Sequence, residues 1–226
     1  MSAPSARGLF RATGKRARPA VVRDLVTGED VVHPDGLPRE ANDFYPTPSE
    51  ATTALALAEA PWLARHPVIW EPACGDGRMM ADLRRHGHEV VGSDLVDRGC
   101  GAVVRDFFAF SEALAPAIVT NPPFAPCNRD PGFVRHALDG LRADYMALLL
   151  PVNWMGAASR ARLWRDHPPA RVRLMRWRID FTGQGAPPMI NAWFVWERGH
   201  RGGTELSMLD RPAPAGLFDG EGEAAE

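Results

Sequence analysis

The chain is almost without lysine. Lys15 stands alone, so 25 of its 26 Lys and Arg residues are arginine. That excludes Schiff-base or general-base lysine chemistry from the centre of the sequence and leaves cations that make forked contacts with phosphates and base edges. A coding bias toward arginine and alanine accounts for the same pattern. Cysteine is scarce as well: Cys74, Cys100 and Cys127 are odd in number and lack metal-like spacing, which argues against a disulfide framework and a zinc site. The seven histidines are scattered, with no pair at ligand spacing, and no metal is expected. No apolar run approaches the roughly 20 residues a bilayer requires, and the N-terminus lacks the central apolar stretch of a signal peptide. No membrane association is expected, and a reduced, cytoplasmic setting follows.

The composition that remains is ordinary for a globular protein. With 226 residues, 45% hydrophobic and 24% charged, the chain suits one compact domain with short appendages. The formal charge of -2 conceals a separation. Arg7, Arg11, Lys15, Arg16, Arg18 and Arg23 occur in the first 23 residues without an acid, whereas Asp219, Glu221, Glu223 and Glu226 close the chain without a base. Residues 1–40, mixing Arg, Pro, Gly and Ser, are read as a flexible basic arm, 41–198 as the folded domain, and 199–226 as a polar, acidic tail.

Within the central region, Thr47-Pro48-Ser49-Glu50 has the form of a helix start, with Thr47 as cap, Pro48 in the first turn and Glu50 three residues after the cap. Short apolar runs then alternate with amphipathic ones. Val68–Trp70 precedes 78–87, Glu89–Gly92 follows, and Ala102–Val104 precedes 107–114. Ala117–Thr120 precedes 131–142, and Tyr145–Pro151 precedes 156–166. This punctuation predicts an α/β fold whose parallel sheet is covered by helices on both faces. Arg171–Phe181 and Met189–Trp196, joined through Gly and Pro with no helix between, predict an antiparallel pair at one edge.

The first strand runs into Glu71-Pro72-Ala73-Cys74-Gly75-Asp76-Gly77. Glycines here let a ligand approach the backbone at the carboxyl edge of the sheet. The spacing fits neither a dinucleotide loop nor a P-loop, and Glu71 and Asp76 would repel pyrophosphate, so a cationic ligand fits better. Asp94 closes the next strand, placed to accept from ribose hydroxyls, and Asp106 closes the third, where an acceptor meets an adenine amino group. After the fourth apolar run comes Asn121-Pro122-Pro123-Phe124. Two prolines fix the backbone and remove donors, leaving the Asn side chain and the turn's carbonyls to accept from an amino group, while Phe124 offers a stacking face.

These residues carry a resemblance. The stretch 71–77, with Asp94 and Asp106, is similar to the cofactor motifs of class I S-adenosylmethionine (SAM) dependent methyltransferases. Asn121–Phe124 resembles the catalytic motif of the amino-methyltransferases, above all the DNA adenine-N6 enzymes. Asp43-Phe44-Tyr45-Pro46-Thr47-Pro48 is similar to the lead-in that covers SAM in that group. Together with Leu148–Trp154 and Trp193–Trp196, the stretch 43–197 resembles small phage and prophage adenine methyltransferases. The resemblance implies a Rossmann-like, mostly parallel seven-stranded sheet with an antiparallel edge strand. It implies SAM as cofactor, held by Tyr45, Thr47, Glu71, Pro72, Ala73, Gly75, Gly77, Asp94 and Asp106, and it implies DNA as partner. Catalysis at a flipped base would fall to Asn121, Pro122, Pro123 and Phe124, with Tyr45 as a second wall. RNA guanine-N2 methylation, protein glutamine-N5 methylation and a non-catalytic SAM- or DNA-binding role stay open. The sequence departs in size: after Asn121 no insert is large enough for a conventional target-recognition domain.

Other residues are weighed and set aside. Cys127 follows the turn as the nucleophile does in cytosine-C5 enzymes, but those lack the preceding amino-group acceptor, so it reads as a loop thiol. Cys74 reads as packing. Arg129, Arg176 and Arg178 are candidate phosphate contacts, and loops 125–133 and 182–190 are expected to rim the site.

Overall fold

The computed structural model describes residues 21–23, 30–32, 44–127, 132–181, 183, 185 and 189–213. The chain divides into two compact units, Met1–Phe44 and Tyr45–Glu226. The described part of the first is one antiparallel ladder, β1 (Val21–Arg23) on β2 (Asp30–Val32), with Val22 opposite Val31. Each strand contains two consecutive valines, whose branched side chains favour extended backbone. An arm without elements misses this pair; Arg7, Arg11, Lys15, Arg16 and Arg18 lie outside the described residues.

The second unit begins with α1 (Ser49–Ala58), α2 (Ala60–Leu63), β3 (Val68–Glu71), α3 (Arg78–Arg85), β4 (Glu89–Asp94) and β5 (Val103–Val104). It continues through β6 (Ala117–Thr120), α4 (Phe124–Cys127), α5 (Phe133–Arg135, prolonged by a π-helical turn His136–Gly140) and β7 (Tyr145–Pro151). It closes with α6 (Ala161–Asp166), β8 (Arg171–Met175), β9 (Asn191–Glu197) and β10 (Glu205–Leu209). These strands form one sheet in the order β10-β8-β9-β7-β6-β3-β4-β5. Every neighbouring pair is parallel except the two made by β9, with β7 and with β8.

Alternation along the central strands supplies two cores. Ile69, Val119, Ala147, Trp193 and Val195 pack with Leu55, Met79 and Leu83 of α1 and α3 on one face. Trp70, Ile118, Leu148, Phe194 and Trp196 pack with Phe107, Phe133 and Trp154 on the other. Burial on both faces explains why β6, β7 and β9 read as nearly unbroken apolar runs. The indoles are anchored: Trp193 donates to the Ala51 carbonyl at 3.0 Å and Trp196 to that of His167 at 3.0 Å.

The Rossmann-like, mostly parallel sheet is present, with differences in detail. Among the described residues it has eight strands rather than seven, because Glu205–Leu209, expected in the polar tail, pairs in parallel with β8. Arg173 holds this strand by donating to Glu205 and, at 2.6 Å, to Ser207 Oγ. The antiparallel strand β9 lies inside the sheet, since Ala192–Trp196 is too apolar to face water at an edge. The first helix starts at Ser49 with Pro48 as N-cap and no side-chain cap, one residue later than Thr47 as cap predicts. The run 107–114 makes only a 3₁₀ turn, Phe107–Ala109, because Phe107 and Phe110 both turn into the core instead of lining a helix.

At the amino ends of β7 and β8, buried Glu59 accepts from Arg171 Nε (3.0 Å) and Nη2 (2.9 Å), Arg173 Nε (2.7 Å) and the Tyr145 hydroxyl (3.2 Å). The Trp62 ring lies 4.0 Å from the Arg171 guanidinium. This knot ties the end of α1 to the sheet at the edge opposite the glycine loop.

Candidate active site

The carboxyl ends of the parallel strands line up the predicted site residues in sheet order: Asn121 after β6, Glu71 ending β3 with its loop following, Asp94 ending β4, and Asp106 two residues after β5. β3 has β6 on one side and β4 on the other, so its following loop opens where the strand order reverses. Open α/β sheets place ligands at that point.

The loop is built from glycines that no other residue replaces without strain. Gly75 and Gly77 have φ of 54° and 82°. A Cβ on Gly77 would stand 2.8 Å from Cys100 Cβ, inside van der Waals contact. The Gly77 amide donates to the Cys74 carbonyl at 2.8 Å, and the Cys74 amide to the Ser93 carbonyl at 3.1 Å, which binds the loop to β4. Asp94 completes the frame: one carboxylate oxygen accepts from the Gly75 amide at 2.8 Å and the other from the Val96 amide at 2.9 Å. Its remaining lone pairs are the acceptors available to a ligand hydroxyl. Pro72, Gly75 and Gly77 are buried and Ala73 is half-buried.

Glu71 is the electrostatic centre of this edge. It is 3% exposed, and its Oε2 has no hydrogen-bond partner among the described residues. Burial pushes its carboxyl well above the usual carboxylate range; the nearby Cys100 and Asp94 push the same way, against a hydrogen bond from the Met80 amide. A buried acid with no counter-charge among the described residues is a place where a cation gains from both charge and desolvation. Asp106 is exposed, and its Oδ1 accepts from the Phe108 amide at 2.9 Å, capping the 3₁₀ turn.

On the other side of β3, Asn121 Nδ2 donates to the Tyr45 carbonyl at 3.3 Å. The lead-in chain therefore crosses the end of β6, and the contact orients the amide with Oδ1 as its acceptor. Pro122 is buried, whereas Pro123 and Phe124 are half-buried, Phe124 opening α4. The Tyr45 ring meets Phe181 edge-on, 6.4 Å between centroids. Thr47 is buried beside them in sequence.

The structure thus brings Tyr45, the loop 71–77, Asp94 and Asn121 to one edge. Arg129, most of loop 125–133 beyond Cys127, and parts of loop 182–190 lie outside the described residues. Arg176 pairs with Asp210 at 2.9 Å on the surface. Two residues escape the sequence reading. Leu95 directly follows Asp94 and is 57% exposed, an apolar face beside the acid. Asn191 starts β9 opposite Pro151, 2% exposed, with Nδ2 unpartnered among the described residues. The signal for each was present: an exposed leucine after a strand-ending acid, and the single polar residue in the run Met189–Trp196.

No protein-family model matches the chain, and no curated protein matches it. Solved structures do. A Listeria monocytogenes protein assigned as a class I SAM-dependent methyltransferase superposes with a TM-score of 0.54 at 12% identity, covering 72% of this chain and 65% of that one. The present chain therefore spans less than two thirds of that protein's length. A Pyrococcus horikoshii protein assigned as an RNA methyltransferase gives 0.52 at 14% identity, covering 69% and 88%. A Burkholderia thailandensis N1-methyltransferase with bound S-adenosylhomocysteine gives 0.47 at 18%, covering 66% and 78%. At these identities the likeness to the first two shows the fold alone, the Rossmann-like sheet of class I methyltransferases.

Proposed function

We propose that the chain transfers a methyl group from SAM to the exocyclic N6 amine of adenine in DNA. The observation that carries the reading is the Asn121-Pro122-Pro123-Phe124 turn at the end of β6, directly beside the glycine loop, with Asn121 Nδ2 engaged by Tyr45. The cofactor's chemistry fits the donor set. An ammonium or sulfonium answers the orphaned buried oxygen of Glu71, the positive-φ backbone at Gly75 and Gly77 admits close approach, and Asp94 accepts from ribose hydroxyls.

SAM supplies the electrophilic methyl group on its sulfonium. The chain's own residues do the rest by position. A target adenine leaves the duplex at a cost of a few kcal/mol. Phe124 offers its stacking face, with Tyr45 as a second wall. Asn121 Oδ1 and the turn's carbonyl accept the two N6–H protons, which turns the nitrogen lone pair toward the methyl donor. The pyrrolidine nitrogens of Pro122 and Pro123 carry no N–H, so no donor competes for that lone pair. No covalent enzyme intermediate is involved, and the proton that N6 loses on methylation passes to solvent.

The test is incubation of the purified chain with tritiated SAM and separate DNA, RNA and protein acceptors, followed by mass analysis of the modified nucleoside. N6-methyladenine in DNA is the expected product. Label confined to RNA or protein overturns the DNA assignment, and absence of transfer by a chain that binds SAM favours a binding role instead.

A further inference from the structure

Two thiols stand beside the cofactor loop and take no part in the chemistry above. Cys74 lies in the loop itself and is buried; Cys100 lies in the turn after β4 and is partly exposed. Their sulfurs are 3.7 Å apart, and Cys100 Sγ also contacts the Gly75 carbonyl at 3.5 Å. Cys100 Cβ is the atom on which a side chain at Gly77 would collide. Cys100 is flanked by Gly99 and Gly101, whose φ values of 79° and 76° and open surroundings mark a turn that can readjust.

We propose that Cys74 and Cys100 form a reversible disulfide, driven by a low-molecular-weight disulfide such as glutathione disulfide, and that its formation disables the cofactor loop; the second half rests on the SAM reading above. The geometry assigns the roles. Partly exposed Cys100 is the thiol a solvent-borne disulfide reaches. Its thiolate attacks one sulfur, forming a mixed disulfide and expelling one small thiolate, which takes a proton from solvent. Cys74, buried against it, then gives up its proton and attacks the Cys100 sulfur, releasing the second small thiol. Two protein thiols are oxidised and one small disulfide is reduced to two thiols. Burial, together with Glu71 and the neighbouring Cys100, raises the Cys74 thiol, consistent with its acting second, within reach of a fixed target. Closing the sulfurs from 3.7 Å to the roughly 2.05 Å of an S–S bond draws the 99–101 turn onto Gly75 and Gly77. The backbone there is the cradle offered to the cofactor.

The test uses the full chain, reduced and then treated with excess glutathione disulfide. Three readouts are taken: intact mass, peptide mapping of the cross-link, and affinity for S-adenosylhomocysteine by calorimetry. The expected result is a Cys74–Cys100 link, affinity weakened about tenfold or more, and recovery with dithiothreitol. Cys100→Ser should form no link and bind equally before and after treatment. A treated wild type without the link, or a linked protein with undiminished affinity, overturns the proposal. If the reduced wild type does not bind S-adenosylhomocysteine, the cofactor reading fails and so does the loop-disabling half, while mapping alone decides the cross-link.

Discussion

In the proposed mechanism, Asn121 and Glu71 divide the chemistry at the scale of single residues. Under that proposal the Asn121 amide acts where the lone pair of the amine turns toward the methyl donor, so its loss should appear in transfer rather than in cofactor binding. Asn121→Ala is expected to slow single-turnover methylation of DNA by about 100- to 1,000-fold while SAM affinity holds. Phe124→Ala should instead weaken retention of the base by about 1–3 kcal/mol, raising the apparent KM for DNA. Wild-type rates for Asn121→Ala would remove the amino-transfer mechanism. Glu71 predicts a pH dependence. Its folded-state carboxyl titrates well above its ordinary 4.5, so the stability it contributes is complete below that value and is lost as pH rises through the raised one. A bound cation reverses the preference, favouring the ionised acid. SAM affinity should therefore climb as pH rises from the ordinary carboxylate range toward the raised value, with proton release visible as buffer-dependent heat in calorimetry. Glu71→Gln should flatten both the stability slope and the affinity slope.

Two elements convert these residues into a site. The glycine loop has the backbone of a left-handed turn, and Gly77→Ala meets both a positive φ and the Cys100 Cβ at 2.8 Å. The conformational cost alone is about 1–2 kcal/mol, which lowers the thermal midpoint of a chain this size by about 2–8 °C. Weaker S-adenosylhomocysteine binding should accompany it; an unchanged midpoint and affinity would mean the loop relaxes freely. The Glu59 knot acts at the other end of the sheet. Glu59→Ala leaves the Arg171 and Arg173 guanidiniums buried without their shared acceptor, a loss of about 3–5 kcal/mol, read by denaturant unfolding. Because the knot lies at the amino ends of β7 and β8, methyl transfer by the folded fraction should be unaltered.

At the scale of the whole molecule, charge is distributed unevenly along the chain. Six cationic side chains and no acid fall within residues 1–23, and each phosphate neutralised contributes about −0.9 to the slope of log K against log salt on duplex DNA. Deleting these residues is expected to lower DNA affinity and flatten its salt dependence while leaving SAM affinity unchanged. Filter binding over a salt series distinguishes this from a solvated leader, for which the slope would not move. In the proposed DNA reading, this acid-free stretch supplies phosphate contacts.

The sequence by itself determined the alternation of strand and helix, the glycine loop, the strand-ending acids and the Asn-Pro-Pro-Phe turn. These are local patterns, set by backbone preferences and side-chain periodicity within a few residues. Only the tertiary structure decided what depends on neighbours distant in the chain. Glu205–Leu209 reads as polar tail until Arg173 supplies partners for Glu205 and Ser207. β9 lies inside the sheet because both faces of Ala192–Trp196 must be buried, a demand that periodicity alone does not convert into strand order. Phe107 and Phe110 forgo a helix because the core takes both rings. Glu71 is visible in sequence as an acid before glycines, but its isolation as a buried carboxyl with an orphaned oxygen follows from packing. Cys74 and Cys100 are 26 residues apart and 3.7 Å between sulfurs, a juxtaposition created when β4 returns beside β3.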